Sequence, residues 1–357
     1  RSVSCGMPNQ FQMQKEAIYT KKIRDILLQL PDFCEAFFRS LANKNLSVLT
    51  RYGYAVDLRS FFRFLTAEDQ LFSGRPLSSL TIADLKLIRT QDIERYLEFV
   101  SLYYTASDRE RSNHDKSRKR KLSAIRSFFK YYFKLEALDA DVAALVEMPK
   151  INDNAIVRLE PNEIATLLDQ AENGENLSAR QKAYHMATRT RDVAILTLFL
   201  GTGIRLSELV GIACSDIDFS NNAFSVVRKG GNQEILALSN EVAEALASYA
   251  EERALRTPLE GHEKAFFLSM QNRRMTARAV ENLVKKYARA AVPLKKITPH
   301  KLRSTYGTLL YQESNDIYLV ADVLGHKDVN TTRKHYAAQS EDNRRKAARL
   351  IHLREDE

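Results

Sequence analysis

A histidine and an arginine three positions apart, His300 and Arg303 in the stretch TPHKLRSTYGT, follow a threonine–proline pair at 298 and 299. Thr298 suits a helix N-cap and Pro299 the first helical position. Both side chains are therefore expected in the opening turn, where unpaired backbone N–H groups and the helix dipole favour an anion such as phosphate. Taken alone, the stretch also fits a helix start with incidental polar residues. Earlier, GTGIRLSEL sets Arg205 just after a glycine-rich turn, with Glu208 one helical turn further on. No GK[ST] follows and no strand–helix–strand unit surrounds it, so it is neither a P-loop nor a dinucleotide fingerprint. An arginine there could equally cap a helix or pair with Glu208. Lys229 stands at the tip of AFSVVRKGGNQEILAL, beside two glycines that permit a tight turn, where a lysine otherwise serves solubility. DVLGHKDVNTTRKHYAA ends one helix at Gly325, presents His326 directly after it, and restarts a helix near Asn330 that carries Tyr336. A tyrosine in that setting is ordinarily half-buried packing.

These residues need elements to hold them. From about Gln12 to Ala144 apolar residues recur at three- and four-residue spacing, as in VLTRYGYAVDLRSFFRFL, with few Gly or Pro, which predicts an all-helical domain. VEMPKINDNAIVRLEPNEI then combines prolines and polar residues ahead of a new helix and reads as an extended linker. After it come helices, one hairpin marked by β-branched alternation around Gly230 and Gly231, and helices again. The expected fold is mainly α with a small β-hairpin or sheet (α+β). Its expected parts are a helical domain over 12–147, a linker over 148–160, and a second domain over 161–357 that ends in a short tail helix.

The six positions Arg205, Lys229, His300, Arg303, His326 and Tyr336 fall in order within that second domain. On these residues the chain resembles the tyrosine recombinase, or phage integrase, family. TPHKLRSTYGT and VADVLGHKDVNTTRKHY are particularly similar to its Xer-like and mobile-element members. The resemblance spans nearly the whole chain. It implies a helical SAM-like core-binding domain joined to a tyrosine-recombinase catalytic domain, the six residues as active-site groups with Tyr336 as nucleophile, and Glu208 as the acid supporting the first arginine. Ser304 stands where the family often has a histidine, and Tyr336 lies ten residues after His326 where nine is common.

The implied chemistry makes physical sense of the set. Attack on a phosphodiester adds negative charge to the non-bridging oxygens, and two guanidiniums with two histidines can stabilise it without a metal. A phenol ordinarily ionises near pH ~10, but a cluster of cations favours the phenolate. The departing 5′ oxygen needs a proton, and Lys229 is the candidate donor. The resulting 3′-phosphotyrosine keeps the energy of the broken bond, so no ATP or other cofactor is expected. Relaxation by a type IB topoisomerase-like enzyme, or DNA binding by an inactive regulator, are the alternatives.

Charge points to the same substrate class. The chain of 357 residues carries a net charge of +9, and ten Lys or Arg against three acids lie between Asp108 and Lys134. KSRKRK is the densest part, which makes Lys116, Arg118, Lys119, Arg120, Lys121 and Arg126 the candidate DNA contacts; a solvated helix face is the other reading. The aromatics of IRSFFKYYFKL recur at helical spacing and are expected in the core rather than stacked on bases. The expected partners are double-stranded DNA with inverted-repeat core sites and, by resemblance, a homotetramer on two such sites. The tail after Tyr336 would dock into a neighbouring protomer or fold back on its own domain. Cys5, Cys34 and Cys214 form no CxxC pair, and no run of about 18 apolar residues or signal-peptide order occurs, so a cytoplasmic, nucleoid-associated enzyme without membrane or structural metal is expected. RSVSCG ahead of Met7 carries no expected function, and no further DNA-binding arm is expected ahead of the core-binding helices.

Overall fold

The computed structural model describes residues 10–68, 72–104, 110–112, 115–149, 157–228, 231–325 and 329. The chain folds as two compact units, residues 8–154 and residues 155–357. The expected linker over 148–160 falls largely outside the described residues.

The first unit contains α1 (Gln10–Leu27), α2 (Phe33–Asn43), α3 (Val48–Ala67), α4 (Ile82–Leu85), α5 (Thr90–Phe99), β1 (Leu102–Tyr104), β2 (Glu110–Ser112) and α6 (Asp115–Lys134). Its core is aromatic. Phe37, Phe61, Phe62, Phe128 and Tyr96 are fully buried, and Phe128 meets Phe37 and Phe62 edge to face at 5.3 and 5.7 Å. That geometry places the positive ring edge on a negative ring face. Phe128, Phe129 and Tyr132 of α6 are all core residues, as their spacing predicts, while Phe133 on the opposite side is exposed. The antiparallel pair β1–β2 interrupts the all-helical expectation. The segment is only three residues per strand, too short for an alternation to emerge from the helical pattern around it.

The second unit contains α7 (Pro161–Asn173), α8 (Ala179–His185), α9 (Arg189–Thr202), α10 (Leu206–Leu209), β3 (Ile217–Asp218), β4 (Ala223–Val227), β5 (Gln233–Ala237), α11 (Asn240–Ala254), α12 (Ala277–Ala291), α13 (Pro299–Ser314) and α14 (Ile317–Val323). α9 lies at the centre, packed against α7, α11 and α13, and buries Ala194, Ile195, Leu196, Leu198 and Phe199. The expected hairpin is β4–β5, antiparallel with Val227 opposite Gln233, and β3 extends it into a three-stranded sheet. Among the described residues, no helix is long and apolar enough to cross a membrane.

One polar cluster braces this core. Asp192 is buried and accepts from the Thr188 hydroxyl, the Arg191 guanidinium, the Lys286 ammonium and the Tyr287 phenol. With this many donors a buried carboxylate remains satisfied. Burial and the facing carboxylate push the Tyr287 hydroxyl far above the usual tyrosine range, so it stays a proton donor.

Candidate active site

α9 ends at Gly203, which has a φ of 61° that a side chain rarely tolerates. A β-carbon there would lie 2.5 Å from the Tyr306 ring and 2.8 Å from Leu324, so α13 and α14 can close on this turn only because the residue is glycine. Arg205 follows and opens α10. Its backbone N–H donates to Glu208 Oε2 at 2.9 Å, and its Nη1 donates to Glu208 Oε1 at 2.8 Å. Glu208 thus caps the helix start and holds the guanidinium at once.

Glu208 has a second cationic partner. The Nη1 of Arg228 donates to Glu208 Oε2 at 3.2 Å, and its Nε donates to Glu234 Oε2 at 2.7 Å. The Glu208 side chain is only 3 % exposed. A carboxylate that deeply buried persists when paired on both oxygens, and here it is.

α13 begins as expected: the Thr298 hydroxyl accepts from the Lys301 N–H, and Pro299 takes the first helical position. His300 is exposed in the first turn. Arg303 lies one turn deeper and is buried, so the two residues are not a pair at the helix mouth. Its guanidinium donates instead to the carbonyls of Gly203 and Leu324. The end of α14 gathers all three arginines: Arg228 donates to Val323 O at 2.8 Å, Arg303 to Leu324 O, and Arg205 to Gly325 O at 2.8 Å. The last carbonyls of a helix lack intrahelical partners and carry the negative end of its dipole, so three guanidiniums satisfy three consecutive acceptors there. Segments near 205, 228, 303 and 324 are thereby drawn to one place.

Of the residues singled out from the sequence, Arg205, Glu208 and Arg303 converge directly, and His300 stands on the same helix as Arg303. Lys229, His326 and Tyr336 lie outside the described residues, as does the tail at 340–357. Each of the first two directly follows a residue held in the network, Arg228 and Gly325 respectively. Tyr306 is half-buried, and burial raises its hydroxyl above the usual tyrosine range, so it is poorly suited to act as a nucleophile. Arg228 was missed in the sequence. The signal was present: Phe224 and Val226 point into the core from β4, and the same alternation puts Arg228 on the buried face.

In the first unit the basic run divides by task. Lys119 and Arg120 face outward, but Arg120 pairs with the buried Asp57, and Lys121 reaches the same carboxylate at 3.5 Å. Burial pushes the Asp57 carboxyl up against the pull of these two cations. Arg126 donates to the carbonyls of Ala143, Ala144 and Val146 and secures the turn after α6. Arg118 lies half-buried on α6 and takes part in contacts of its own. Lys116 belongs to α6, with its side chain outside the described set.

Residues 157–343 match the phage integrase family, and residues 34–134 match the phage integrase N-terminal SAM-like domain. The chain is 33% identical over 318 residues to a tyrosine recombinase XerC of Caldanaerobacter subterraneus subsp. tengcongensis, covering 86% of this chain and 83% of that protein. It is 27% identical to a tyrosine recombinase XerS of Streptococcus agalactiae, covering 89% and 95%. Among solved structures, the Tn1549 transposon integrase in complex with transposon right end DNA shares the fold at a TM-score of 0.63 and 18% identity, over 89% of this chain and 98% of that one. XerH bound to palindromic difH substrate does so at 0.60 and 19%, over 85% and 80%.

Proposed function

Since this chain belongs to the phage integrase family and is a site-specific tyrosine recombinase of the Xer type, we propose that it cuts and rejoins double-stranded DNA by passing the scissile phosphate to Tyr336. The observation that supports this most is the meeting of Arg205 and Arg303 on consecutive carbonyls at the end of α14, directly ahead of His326. Two guanidiniums anchored by a buried carboxylate and by backbone oxygens are preorganised for an anion that gains charge in the transition state. Strand exchange is favoured over topoisomerase action, since the XerC and XerS proteins it resembles are tyrosine recombinases.

The Tyr336 oxygen attacks phosphorus and gives up its proton to a neighbouring histidine, His300 or His326. The bond from phosphorus to the 5′ oxygen breaks, and that oxygen takes a proton from the Lys229 ammonium. A 3′-phosphotyrosine and a free 5′-hydroxyl result. A 5′-hydroxyl from a second duplex reverses the step, giving a Holliday junction, and no ATP is consumed. Arg205 and Arg303 hold the non-bridging oxygens throughout, so no metal is needed.

The helical domain over 12–147 grips the duplex, the 148–160 segment links it, and the 161–357 domain cuts. XerH is solved on palindromic difH substrate and the Tn1549 integrase on transposon right end DNA. For this chain the proposed substrate is double-stranded DNA with inverted-repeat core sites, held by a homotetramer on two sites in the cytoplasm at the nucleoid.

Incubation with a library of nicked duplexes of randomised core sequence, followed by denaturing electrophoresis and sequencing of captured strands, tests the reading. The parent is expected to form a covalent adduct at a 3′ phosphate, and Tyr336→Phe to bind the captured site without forming one. An adduct retained by Tyr336→Phe would relocate the nucleophile. Rapid relaxation of plasmid lacking any captured site would favour the topoisomerase reading.

A further inference from the structure

Arg228 immediately precedes Lys229, and its side chain is only 5 % exposed. Its backbone closes the β4–β5 loop from both sides: its N–H donates to Asn232 O at 2.7 Å, and its carbonyl accepts from the Gly231 N–H at 3.0 Å. Its guanidinium spreads over three elements, through Glu234 on β5 at 2.7 Å, Glu208 on α10 at 3.2 Å and the Val323 carbonyl of α14 at 2.8 Å. Gly325 lies against it so closely that an added β-carbon would sit 3.0 Å from Arg228 Nε. One residue therefore ties the root of the Lys229 loop to the carboxylate that holds Arg205 and to the helix end that precedes His326. Three separate nitrogens of the planar fork reach three separated acceptors, whereas the donors of an ammonium all radiate from one atom.

The charge arrangement supports a fixed position rather than incidental burial. Glu208 and Glu234 flank the Arg228 guanidinium, and Arg205 neutralises the outer side of Glu208. A desolvated cation with two carboxylate partners is held in one geometry, because leaving it would strand buried charge. Glu234, at 41 % exposure, is the partner nearest solvent.

We propose that Arg228 is a positioning residue for the general acid: it sets the register of the β4–β5 loop so that the Lys229 ammonium meets the departing 5′ oxygen. This rests on the reading of Lys229 as the proton donor. A role confined to fold stability or to phosphate binding would slow cleavage whatever the leaving group, whereas a role in aiming the acid matters only when the leaving group needs a proton.

The test compares single-turnover cleavage of a captured site in two forms, one with the natural bridging 5′ oxygen and one with sulfur in its place, since a thiolate leaves unprotonated. Arg228→Gln is expected to be about 100-fold slower than the parent on the oxygen substrate and within about fivefold of it on the sulfur substrate. Arg228→Lys should resemble Arg228→Gln, as charge without the fork does not restore the three contacts. Equal losses on both substrates for Arg228→Gln, while Lys229→Ala is rescued by sulfur, would overturn the positioning role alone. Failure of sulfur to rescue Lys229→Ala would overturn the underlying assignment of the acid and this inference with it. If Arg228→Gln does not fold, Glu234→Gln carries the same comparison: a smaller defect rescued by sulfur supports the proposal, and an unrescued defect or none overturns it.

Discussion

Glu208 decides the charge balance of the site, because a single buried carboxylate serves two guanidiniums and one backbone N–H. Replacing it by Gln keeps the shape and one acceptor oxygen but removes the carboxylate partner of the partly exposed Arg205 and one of the two carboxylates that flank the buried Arg228. Glu208→Gln is expected to lose about 3 kcal/mol of stability, read as a lower denaturant midpoint. Its cleavage is expected to fall by about 100-fold or more even where the protein remains folded, since Arg205 loses its anchor. Unchanged cleavage in a folded variant would mean that Arg205 is positioned by Gly325 alone. At this scale the sequence was informative through order, since Arg205 and Arg303 are ordinary when taken singly and gain meaning from their places among the six positions. It was less so for Arg228, whose meaning depends on which face of a strand is buried.

Among the elements, α6 shows how one helix serves two solvents. Its aromatic face builds the core through Phe128, Phe129 and Tyr132, and its cationic stretch is shared between Asp57 and the outside. Lys119→Ala is expected to reduce the slope of log affinity against log salt by about 1 on any duplex while leaving stability unchanged, as loss of one phosphate contact would. Arg120→Ala is expected instead to lower stability by about 2 to 3 kcal/mol, since it strands the buried Asp57 carboxylate with only Lys121 nearby. Filter binding across salt concentrations and urea melts separate the two. A second element has a pH signature. The Arg75 guanidinium, which clamps Asp84 with two hydrogen bonds at the start of α4, and the Thr81 N–H hold the Asp84 carboxyl down at about 2 from its ordinary 3.8. A depressed carboxylate stabilises the fold above its unfolded value and ceases to do so as pH falls through its folded one. Asp84→Asn should therefore lower the urea midpoint at pH 7, and its gap from the parent should close as pH falls from 3.8 towards about 2.

For the whole molecule, the tail SEDNRRKAARLIHLREDE is proposed, by the family resemblance, as the link between protomers; its sequence offers Ser340 for an N-cap and sets Ala347, Leu350 and Ile351 at helical spacing. Deleting residues 340–357 is expected to leave half-site binding nearly intact and to reduce cooperative assembly and strand exchange, as read by gel shift and junction formation. Normal recombination by the truncated chain would move the link to the helical domain. The sequence alone determined much of this protein: its mainly helical class, the β4–β5 hairpin, the Thr298 cap of α13, and the order of residues that marks the family. These depend on local periodicity, capping and turn chemistry, which act within a few residues and leave a readable pattern. It did not reveal the short β1–β2 pair, the depth of Arg303, the pairing of Arg120 and Lys121 with the buried Asp57, or the placement of Arg228. Apart from the β1–β2 pair, which is local, those were decided mainly by contacts between residues about 20 to more than 100 positions apart, such as Arg303 with Gly203, Arg205 with Gly325, and Arg120 with Asp57. A buried charge must find its partner wherever the fold brings one, and only the packed chain says where that is.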